Sequence, residues 1–517
     1  MKKQILLIIL SLIFMLKGCQ IPPAGGDTDT GDTKPPVCDV EAHEDEGNDG
    51  YCDLCGEYVV VVLDFYALND LHGKFSDGSN HIGVDEMTTY LKTAMAADEE
   101  AFLLSSGDMW QGSAESNNTG GRIITDWMNH LGFAAMTLGN HEYDWGEEAI
   151  KENAEMAEFP FLAINIYERA DNTLVDYCQP SLLVDRGNVQ VGIIGAMGDC
   201  YSSISGDKTE DIYFITGSQL TSLVKAESDR LRAQGADFIV YVIHDGYGKS
   251  NYNGTTSVSG AALSSYYDSA LSDGYVDLVF EGHTHQRYVM RDGYGVHHLQ
   301  AGGENKGLSH AEVAVNIANG EHRLNTAEFV SSDKYYAMAD DPVVEELLDK
   351  YHDEISDALR IVGTTSRYRN STELRNLVAK LYYEAGVEKW GETYDITLGG
   401  GFISVRSPYE LPAGQVSYAT LQSIFPFDND LVLCSIKGSD LLSRFVYTDN
   451  SNYFVYLGED KNSVIASIDA NKTYYIVTDT YCSTYVPNRL TEVERYESGI
   501  YARDLLADYI QAGGMEN

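Results

Sequence analysis

Five short apolar segments of the chain each end in residues that can bind a metal ion. The segments VVVVLDFYAL, AFLLSS, AAMTL, DFIVYVI and YVDLVFE are typical of buried strands, because they are rich in apolar residues and bounded by glycine. They are followed, in that order, by NDLHG, GD, GNHE, HDG and GHTH. Helical patterns lie between them, as at 86–97 and 218–234, and this alternation predicts an α/β sheet. In such a sheet, ligands bind beyond the carboxyl ends of the strands, where these polar residues lie.

Seven of these residues are of the types that hold divalent metal ions. A single Asp, Asn or His after a strand is more often a turn or capping residue, but seven at five strand ends indicate a metal site. The seven are Asp70, His72, Asp108, Asn140, His244, His283 and His285. Two ions about 3.5–4 Å apart can hold the attacking and leaving oxygens of a phosphate ester, and one carboxylate suits the bridge between them. Mixed imidazole and carboxylate ligands fit zinc, manganese or iron better than magnesium or calcium.

The same segments resemble the metallophosphatase (calcineurin-like) domain of the 5′-nucleotidase family. The resemblance rests on N-D-L-H-G, S-G-D, G-N-H-E-Y-D, a strand-end His and G-H-T-H, and it is nearly continuous over 107–146. It implies that Asp70, His72, Asp108 and His285 hold one metal ion, and that Asp108, Asn140, His244 and His283 hold the other, with Asp108 as the bridge. His141 and Asp144 match the family's catalytic pair, in which the carboxylate orients and charges the imidazole. The alternative for His141 is a structural role in a turn.

A second domain is predicted after an amphipathic segment at 340–359. That segment is expected to be an exposed helix linking two domains, or a helix packed on one domain only. The later helix TELRNLVAKLYYEAG and the segment after it resemble the C-terminal, nucleotide-binding domain of the same family. The resemblance implies substrate contacts from Arg406, Phe427, Asn429 and Tyr481, with the two aromatic rings on either side of a base. The alternative is that both rings belong to the core of a sheet.

This domain departs from the family pattern in two places, so its substrate pocket is expected to be a variant. Gly399 and Ser404 stand where the family's N-G-G-x-I-R motif has Asn and Arg, and Arg406 is the candidate to replace that Arg. The family's G-G-D-G motif after the second aromatic is absent, and this chain has YCSTY at 481–485. The glycines at 399–401 are expected either to allow close approach of a ligand or to form a tight turn.

The N-terminus predicts export and attachment to lipid. Lys2 and Lys3 precede an apolar run at 5–16 that is too short to span a bilayer, which is typical of a secretory signal. The run ends in L-K-G-C, which resembles the lipobox of bacterial lipoproteins and implies that Cys19 is lipidated. An ordinary secretory signal is the alternative. Residues 20–36 are rich in Pro, Gly, Asp and Thr and are expected to form a flexible tether.

A short segment after the tether holds four potential metal ligands, which are Cys38, His43, Cys52 and Cys55. Three thiolates and one imidazole can close a tetrahedral zinc site, and a segment this small needs a crosslink in order to fold. The oxidising exterior favours a disulfide instead, so both interpretations stay open, whereas the acidic residues here lack the spacing of a calcium-binding EF-hand loop. Four later cysteines are expected to be buried as small apolar residues: Cys178, Cys200, Cys434 and Cys482.

These observations, with the resemblance, predict a lipid-anchored extracytoplasmic enzyme. The expected segments are a signal peptide (1–18), a flexible linker (19–36), a small Cys/His module (37–58), a metallophosphatase α/β sandwich (59–335), a linker helix (336–361) and a second α/β domain that binds the substrate (362–517). The net charge of −44 argues against binding a nucleic acid polymer, but a nucleotide can still bind where metal ions reverse the charge locally. The predicted activity is removal of phosphate from nucleotides. The alternatives are hydrolysis of 2′,3′-cyclic nucleotides or nucleotide sugars, and a non-catalytic surface-binding lipoprotein.

Overall fold

The computed structural model describes residues 43–47, 50–77, 83–98, 100–247, 256–257, 275–401, 410–446, 454–456, 461–484, 489–496 and 499–515. The predicted signal and tether lie outside these ranges, as do Cys19, Cys38 and Arg406. Within the described ranges, no helix combines the length and the apolar composition that crossing a membrane requires.

The first domain is built on two β-sheets that pack against each other. Its strands are β1 (Val60–Leu68), β2 (Phe102–Ser105), β3 (Ala135–Thr137), β4 (Phe161–Leu162), β5 (Ile166–Glu168), β6 (Ser181–Arg186), β7 (Val189–Met197), β8 (Ile212–Phe214), β9 (Phe238–His244), β10 (Thr256–Ser257), β11 (Leu278–Phe280), β12 (Arg287–Arg291), β13 (His297–Ala301), β14 (Gly307–Asn316) and β15 (His322–Ser331). One sheet has the order β15-β14-β1-β2-β3-β4, the other has the order β10-β12-β13-β11-β9-β7-β6, and β5 pairs with β8. Apolar side chains from both sheets, such as Phe65 and Phe238, pack together in one core between them.

Helices cover the outer faces of both sheets. They are α1 (Asp85–Ala97), α2 (Ala114–Asn118), α3 (Arg122–Leu131), α4 (Glu147–Met156) and α5 (Gly217–Ala233), with short 3-10 helices at Asn140–Tyr143, Asp199–Ser203, Gly206–Lys208 and Ser332–Lys334. Ile123 and Trp127 of α3 are buried in the core on the first sheet, and Leu220 and Val224 of α5 are buried in the core on the second. The predicted α/β sandwich is therefore confirmed.

The five predicted strands lie in two sheets rather than in one. Strands β1, β2 and β3 run parallel in the first sheet, and β9 and β11 run parallel in the second. Their carboxyl ends still meet, because Nδ1 of His244 at the end of β9 lies 2.6 Å from the carbonyl oxygen of Ser106 after β2. Alternating strands and helices fit one sheet as well as two, so the sequence pattern does not distinguish these arrangements.

The segment between the domains forms a helix that packs on the first domain. It is divided into α6 (Pro342–Lys350) and α7 (His352–Ile355). The side chain of Asp341 caps α6, since it accepts a hydrogen bond from the backbone N–H of Val343 at 3.1 Å. Val344 and Leu347 are buried in the core of the first domain. The end of the segment also contacts the second domain, since the N–H of Ala419 donates to the carbonyl of Ala358 at 2.7 Å. The helix is therefore packed on the first domain rather than exposed, and the assignment of 336–361 as the segment that links the domains stays a prediction.

The second domain contains a five-stranded mixed sheet with helices. Its strands are β16 (Ile361–Thr365), β17 (Ile396–Gly401), β18 (Gly414–Ser417), β19 (Leu431–Lys437), β20 (Phe454–Tyr456), β21 (Thr473–Asp479) and β22 (Thr491–Arg495). Its helices are α8 (Ser371–Trp390), α9 (Tyr418–Ile424), α10 (Gly438–Asp440), α11 (Lys461–Ser467), α12 (Thr480–Thr484) and α13 (Ala502–Gln511), with a π-helix at Leu441–Val446. The sheet has the order β20-β17-β21-β19-β22, and β16 pairs with β18. The predicted second α/β domain is thus confirmed as a fold, whereas the exact domain boundaries stay a prediction.

The glycines at 399–401 are explained by packing within the second domain. They form the end of strand β17, so the prediction of a tight turn there is wrong. A Cβ atom on Gly399 would lie 2.5 Å from the carbonyl oxygen of Ala379 in α8. A Cβ atom on Gly401 would lie 2.3 Å from Sγ of Cys482. Gly399 and Gly401 therefore let the helices α8 and α12 approach the strand more closely than any larger residue allows.

Candidate metal centre and substrate cleft

The seven predicted metal ligands come together in the folded chain and form one cluster, which we call the metal centre. Its members are Asp70, His72, Asp108, Asn140, His244, His283 and His285. One half is grouped around Asn140, whose Oδ1 lies 3.3 Å from Nε2 of His244 and 2.9 Å from Nδ1 of His283. Oδ2 of Asp108 lies 3.1 Å from the same nitrogen of His244.

The other half of the metal centre is grouped around Asp70. Oδ1 of Asp70 lies 3.2 Å from Nε2 of His285, and this nitrogen lies 3.0 Å from Nε2 of His72. Oδ2 of Asp108 lies 3.9 Å from Nε2 of His72, so the Asp108 carboxylate faces both halves. His285 is the most exposed member, whereas Asp70, His72 and Asp108 are buried. The cluster therefore opens to solvent on the His285 side.

Five ligands have a left-handed backbone conformation, which residues other than glycine rarely adopt. The φ angles are 51° at Asp70, 52° at His72, 55° at Asp108, 67° at His283 and 52° at His285. Neighbouring loops enforce this conformation, because the N–H of Asp70 donates to the carbonyl of Gly107 at 2.9 Å and that of His72 donates to the carbonyl of Asp108 at 3.0 Å. Such strain costs about 1–3 kcal/mol per residue and persists only where the surroundings impose it. The fold thus directs these side chains to one point at a cost in stability.

The imidazole rings direct nitrogen lone pairs into the metal centre. Nδ1 of His72 lies 3.1 Å from the carbonyl oxygen of Gln111, just as Nδ1 of His244 contacts the carbonyl of Ser106. A carbonyl oxygen only accepts hydrogen bonds, so each ring carries a proton on Nδ1 and aims Nε2 at the cluster. Lone pairs and carboxylate oxygens that face one another need a cation between them. Divalent ions such as zinc, manganese or iron fit this mixed donor set.

The pKa values within the metal centre reflect the same need for compensating charge. Burial raises the pKa of Asp108, but the positive charges of His244 and His141 outweigh burial and hold this pKa well below its usual range. Burial lowers the pKa of His244, but the Asp108 and Asp70 carboxylates raise it to about 10. The carboxylates thus require positive charge beside them, supplied either by a second proton on His244 or by a metal ion. A divalent ion would supply positive charge at this same place, so the residues fit the metal ions that the resemblance implies.

Several sets of donor atoms in and beside the metal centre have the spacing of metal-binding groups. The donor atoms lie within 4.8 Å of one another in the set Asp70, His72 and His285, in the set Asp70, Asp108 and His244, and in the set His72, Asp108 and His141. Asp70 and Asp108 each belong to two of these three sets, and the resemblance implies Asp108 as the bridge. The number of ions and the ligands of each ion stay predictions.

Glu142 joins the loop after β2 to the loop after β3, and it was not singled out from the sequence. Its buried carboxylate accepts hydrogen bonds from the N–H groups of Gly139 and Asp108 at 2.7 and 2.8 Å. The same carboxylate accepts two more, from Met109 at 2.8 Å and from Trp110 at 3.3 Å. Burial, followed by the Asp108 charge, raises the pKa of Glu142 to about 7. The carboxylate thus positions Asp108 from the opposite side, a role that residue type alone does not indicate.

The predicted catalytic pair lies next to the metal centre. Nδ1 of His141 lies 2.8 Å from Oδ2 of Asp144, and both side chains are about one-fifth exposed. The backbone N–H of His141 donates to Oδ1 of Asp108 at 2.8 Å, which fixes the ring relative to the metal ligands. The His141 ring lies at 5.2 Å from the ring of His72, measured between centroids. This geometry supports the predicted pair, whose catalytic role stays a prediction.

Both domains line a cleft of ≈ 200 Å³ beside the metal centre, which we call the substrate cleft. Its lining residues are Asn140, His141, Asp144, Ser203, Ser205, His283, Phe427, Asn429 and Tyr481. Phe427 and Tyr481 are only partly buried and belong to none of the hydrophobic cores of the described residues. The ring of Phe427 is roughly parallel to that of His141, with centroids 5.8 Å apart. The alternative that both rings are sheet-core residues is therefore wrong.

Three further residues of this region were not predicted from the sequence. Ser203 and Ser205 line the substrate cleft from the loop after β7, where a short run of serines gives no signal. Arg503 of α13 forms an ion pair with Asp428 and donates to the carbonyl oxygen of Phe427 at 3.1 Å. Arg503 thereby holds the loop that carries Phe427. An arginine in an amphipathic helix gives no indication of this contact, which depends on how α13 packs.

The cysteines divide into the two groups that the sequence predicts. Cys178, Cys200, Cys434 and Cys482 are buried, as expected of small apolar residues. His43, Cys52 and Cys55 lie together, with ligand atoms within 4.8 Å of one another. The described cysteines form no disulfide with each other.

The sequence and the fold were compared with those of known proteins. Residues 63–287 match the family of calcineurin-like phosphoesterases. The chain is 24% identical over 470 residues to the protein UshA of Yersinia enterocolitica, covering 79% of this chain and 81% of that protein. It is 22% identical over 513 residues to a 5′-nucleotidase of Diplobatis ommata, covering 86% of each. The crystal structure of a 5′-nucleotidase precursor from Thermus thermophilus has a similar fold, with a TM-score of 0.65 at 18% identity over 88% of this chain and 96% of that one.

These similarities extend over both domains and include the segments that supply the metal centre. The family match covers the strand ends that carry all seven predicted ligands, and the structural similarity covers the second domain as well. Residues 63–287 therefore form a calcineurin-like phosphoesterase domain, the chain as a whole is similar to 5′-nucleotidases, and it is a metal-dependent phosphoester hydrolase.

Proposed function

We propose that the chain uses two divalent metal ions to remove the phosphate group from nucleotides. One observation carries this proposal: the metal centre, the His141–Asp144 pair and two aromatic side chains of the second domain all border the same substrate cleft. A nucleotide has a phosphate at one end and a flat base at the other. The cleft has metal ligands at one side, which suit the phosphate, and the Phe427 and Tyr481 rings at the other, which suit the base.

The residues of the chain divide the work of hydrolysis between them. Bound divalent ions would neutralise the charge of the phosphoryl group and lower the pKa of a bound water toward neutrality. Asp144 holds the imidazole of His141 in one orientation and favours its positive charge. His141 can then donate a hydrogen bond or a proton to the phosphoryl or leaving oxygen, where negative charge develops. Phe427 and Tyr481 position the base by contact with its faces, which fixes the distance between the phosphate and His141.

A panel of esters tests this activity. AMP, ATP, a nucleotide sugar, a 2′,3′-cyclic nucleotide and p-nitrophenyl phosphate would be compared by release of inorganic phosphate. A phosphomonoesterase would be added for the nucleotide sugar and the cyclic nucleotide, because their hydrolysis first gives phosphomonoesters. We expect the largest kcat/KM with AMP, and elemental analysis should find two divalent ions in the metal centre. Equal rates with AMP and p-nitrophenyl phosphate would contradict recognition of the nucleoside.

A second candidate is hydrolysis of cyclic nucleotides or nucleotide sugars by the same metal centre. The observation that favours it is the position of Gly399, which packs against α8 and supplies no side chain where the family's motif has an Asn. The second domain therefore lacks one polar group that the resemblance leads us to expect. A higher kcat/KM for either of these esters than for AMP in the same panel would support this candidate over the first.

We also propose that the enzyme is lipid-anchored outside the cytoplasm through Cys19. The support is the signal-like run at 5–16 followed by L-K-G-C. The chain should fractionate with membranes and incorporate labelled fatty acid, and Cys19→Ser should move it to the soluble fraction outside the cytoplasm. Unchanged membrane association of Cys19→Ser would contradict the anchor.

A further inference from the structure

The N-terminal module has little apolar surface with which to fold. This module comprises the described residues between 43 and 58, and it leaves Tyr51, Leu54 and Tyr58 about half exposed. Cys52 is its only buried apolar residue. Segments of this size usually need a metal ion or disulfides to hold a single conformation. Something other than a hydrophobic core must therefore stabilise the module.

The backbone of the module brings a histidine and two cysteines to one place. The N–H of Cys52 donates to the carbonyl of Glu57 at 2.7 Å, and the N–H of Gly56 donates back to the carbonyl of Cys52 at 2.7 Å. These bonds close a turn in which Gly56 has a left-handed φ of 75°, directly after Cys55. The N–H of Asp53 donates to the carbonyl of Glu44 at 2.6 Å, which joins this turn to the segment that carries His43.

Within this arrangement the donor atoms point at one another. Nδ1 of His43 lies 3.6 Å from Sγ of Cys55, and all three ligand atoms of His43, Cys52 and Cys55 lie within 4.8 Å. A disulfide between Cys52 and Cys55 makes no use of the imidazole, whereas a metal site takes all three donors.

We propose that His43, Cys52 and Cys55 hold a structural zinc ion, distinct from the metal centre of the first domain. Two sulfur donors and one imidazole are ligands that zinc prefers, and the C-x-x-C spacing is common in structural zinc sites. A closed site takes four ligands. The three described ligands supply all but one of these.

The zinc ion would fix the start of the first domain. The side chain of Asp45 accepts hydrogen bonds from the N–H of Gly50 at 2.9 Å and from Nδ2 of Asn316 at 2.7 Å. The N–H of Val59, just before β1, donates to the carbonyl of Gly50 at 2.9 Å. The module therefore contacts both β1 and the end of β14, and it lies between the predicted tether and the core. The role of the zinc-bound module would be to keep β1 and the end of β14 paired at the start of the first domain.

Zinc content tests the proposal without depending on the catalytic activity. The full chain and the variant Cys52→Ser/Cys55→Ser would be compared by elemental analysis, with Cys178→Ser/Cys434→Ser as a matched control that removes two thiols elsewhere. We expect one zinc per chain to be lost from the first variant and none from the control. The same difference should appear in an Asp108→Ala background, which separates this site from the metal centre. Equal zinc contents in all variants would overturn the proposal.

A second measurement covers the case in which the double variant fails to fold. A mercurial reagent titrated into the unmodified chain should release one zinc ion as Cys52 and Cys55 react, detected with a chromogenic chelator and assigned by peptide mapping. In the cobalt-substituted chain, the same reaction should abolish the thiolate-to-cobalt charge-transfer absorption. A nonreducing peptide map that places Cys52 or Cys55 in a disulfide, together with no release of zinc, would contradict the proposed zinc site. It would establish instead the disulfide that the sequence analysis left open. Turnover of the nucleotide substrate should be unchanged in the double variant.

Discussion

The metal centre and the second-domain side of the substrate cleft are held in place by different means. In the metal centre, the backbone itself is fixed, since five ligands have left-handed φ angles and Glu142 accepts hydrogen bonds from both neighbouring loops. On the second-domain side, Phe427 and Asn429 lie on a loop between α9 and β19, and Tyr481 lies in the short helix α12. The side chain of Arg503 donates to the carbonyls of Phe425 and Phe427 in that loop, and the N–H of Thr480 donates to the carbonyl of Asp430 at 2.9 Å.

This difference matches what each side has to recognise. Charge neutralisation at a phosphoryl group depends on donor positions to within a fraction of an ångström, so a rigid backbone at the metal centre is an advantage. Stacking on a base tolerates more variation, because every base has a π-face. We therefore expect changes in the metal centre to impair hydrolysis of every ester, whereas changes on the second-domain side should impair only esters that carry a base.

The largest effect should come from Asp108→Ala. The carboxylate faces His72 and His244 in the two halves of the metal centre, so its removal should release metal from both and reduce activity to background with AMP and p-nitrophenyl phosphate alike. Elemental analysis and phosphate release measure this. The exposed Asp171→Ala serves as the control, with unchanged metal and rate. Wild-type turnover by purified Asp108→Ala would rule out the proposed centre.

His141→Ala should have the next largest effect and should separate chemistry from metal binding. We expect kcat to fall by about 10²–10⁴-fold, which is typical of losing a general acid or base, while the bound metal is retained. The fall should be the same for AMP and for p-nitrophenyl phosphate, since His141 lies on the metal-centre side. Asp144→Asn should lose less, because Asp144 acts on the substrate only through the His141 ring. Metal loss as severe as in Asp108→Ala would show that the role of His141 is structural.

The two sides of the cleft also differ in how far the sequence predicts them. All seven members of the metal centre were predicted, because ligand types at strand ends are visible in a linear pattern. Glu142 was not, since a buried carboxylate that accepts backbone N–H groups looks like any acidic residue of a turn. The division of the strands between two sheets was also missed, because strand pairing depends on contacts distant in sequence.

Prediction was weaker on the second-domain side for a related reason. Phe427 and Tyr481 were found only through resemblance to the family's motifs, and an aromatic residue after a strand fits a core position equally well. Ser203 and Ser205 lie far from Arg503 in the sequence, and only tertiary packing brings the two serines to the cleft and Arg503 to the loop that carries Phe427. Side chains held by tertiary contacts leave no periodic signal.

A smaller and more selective effect is expected for Phe427→Ala. Stacking of a base on an aromatic ring contributes about 1–3 kcal/mol, so KM for AMP should rise by about 10-fold or more. KM and kcat for p-nitrophenyl phosphate should stay close to wild type, because this ester has no base. Phe427→Tyr should keep most of the affinity and serves as the matched control. An equal fall in kcat for both esters would show instead that Phe427 acts through its contact with His141.

The smallest effect should come from Arg503→Lys, which changes how the Phe427 loop is held without touching the substrate. Lysine keeps the charge beside Asp428 but loses the planar group that also donates to the carbonyl of Phe427. Loss of one or two such hydrogen bonds costs about 0.5–1.5 kcal/mol each, so KM for AMP should rise a few-fold while kcat for p-nitrophenyl phosphate does not change. Arg495→Lys, on the more exposed strand β22, is the control and should have no effect on either ester. If Arg503→Lys slowed both esters equally, the second-domain loop would have to set the position of His141 as well, and the two sides of the cleft would not be independent.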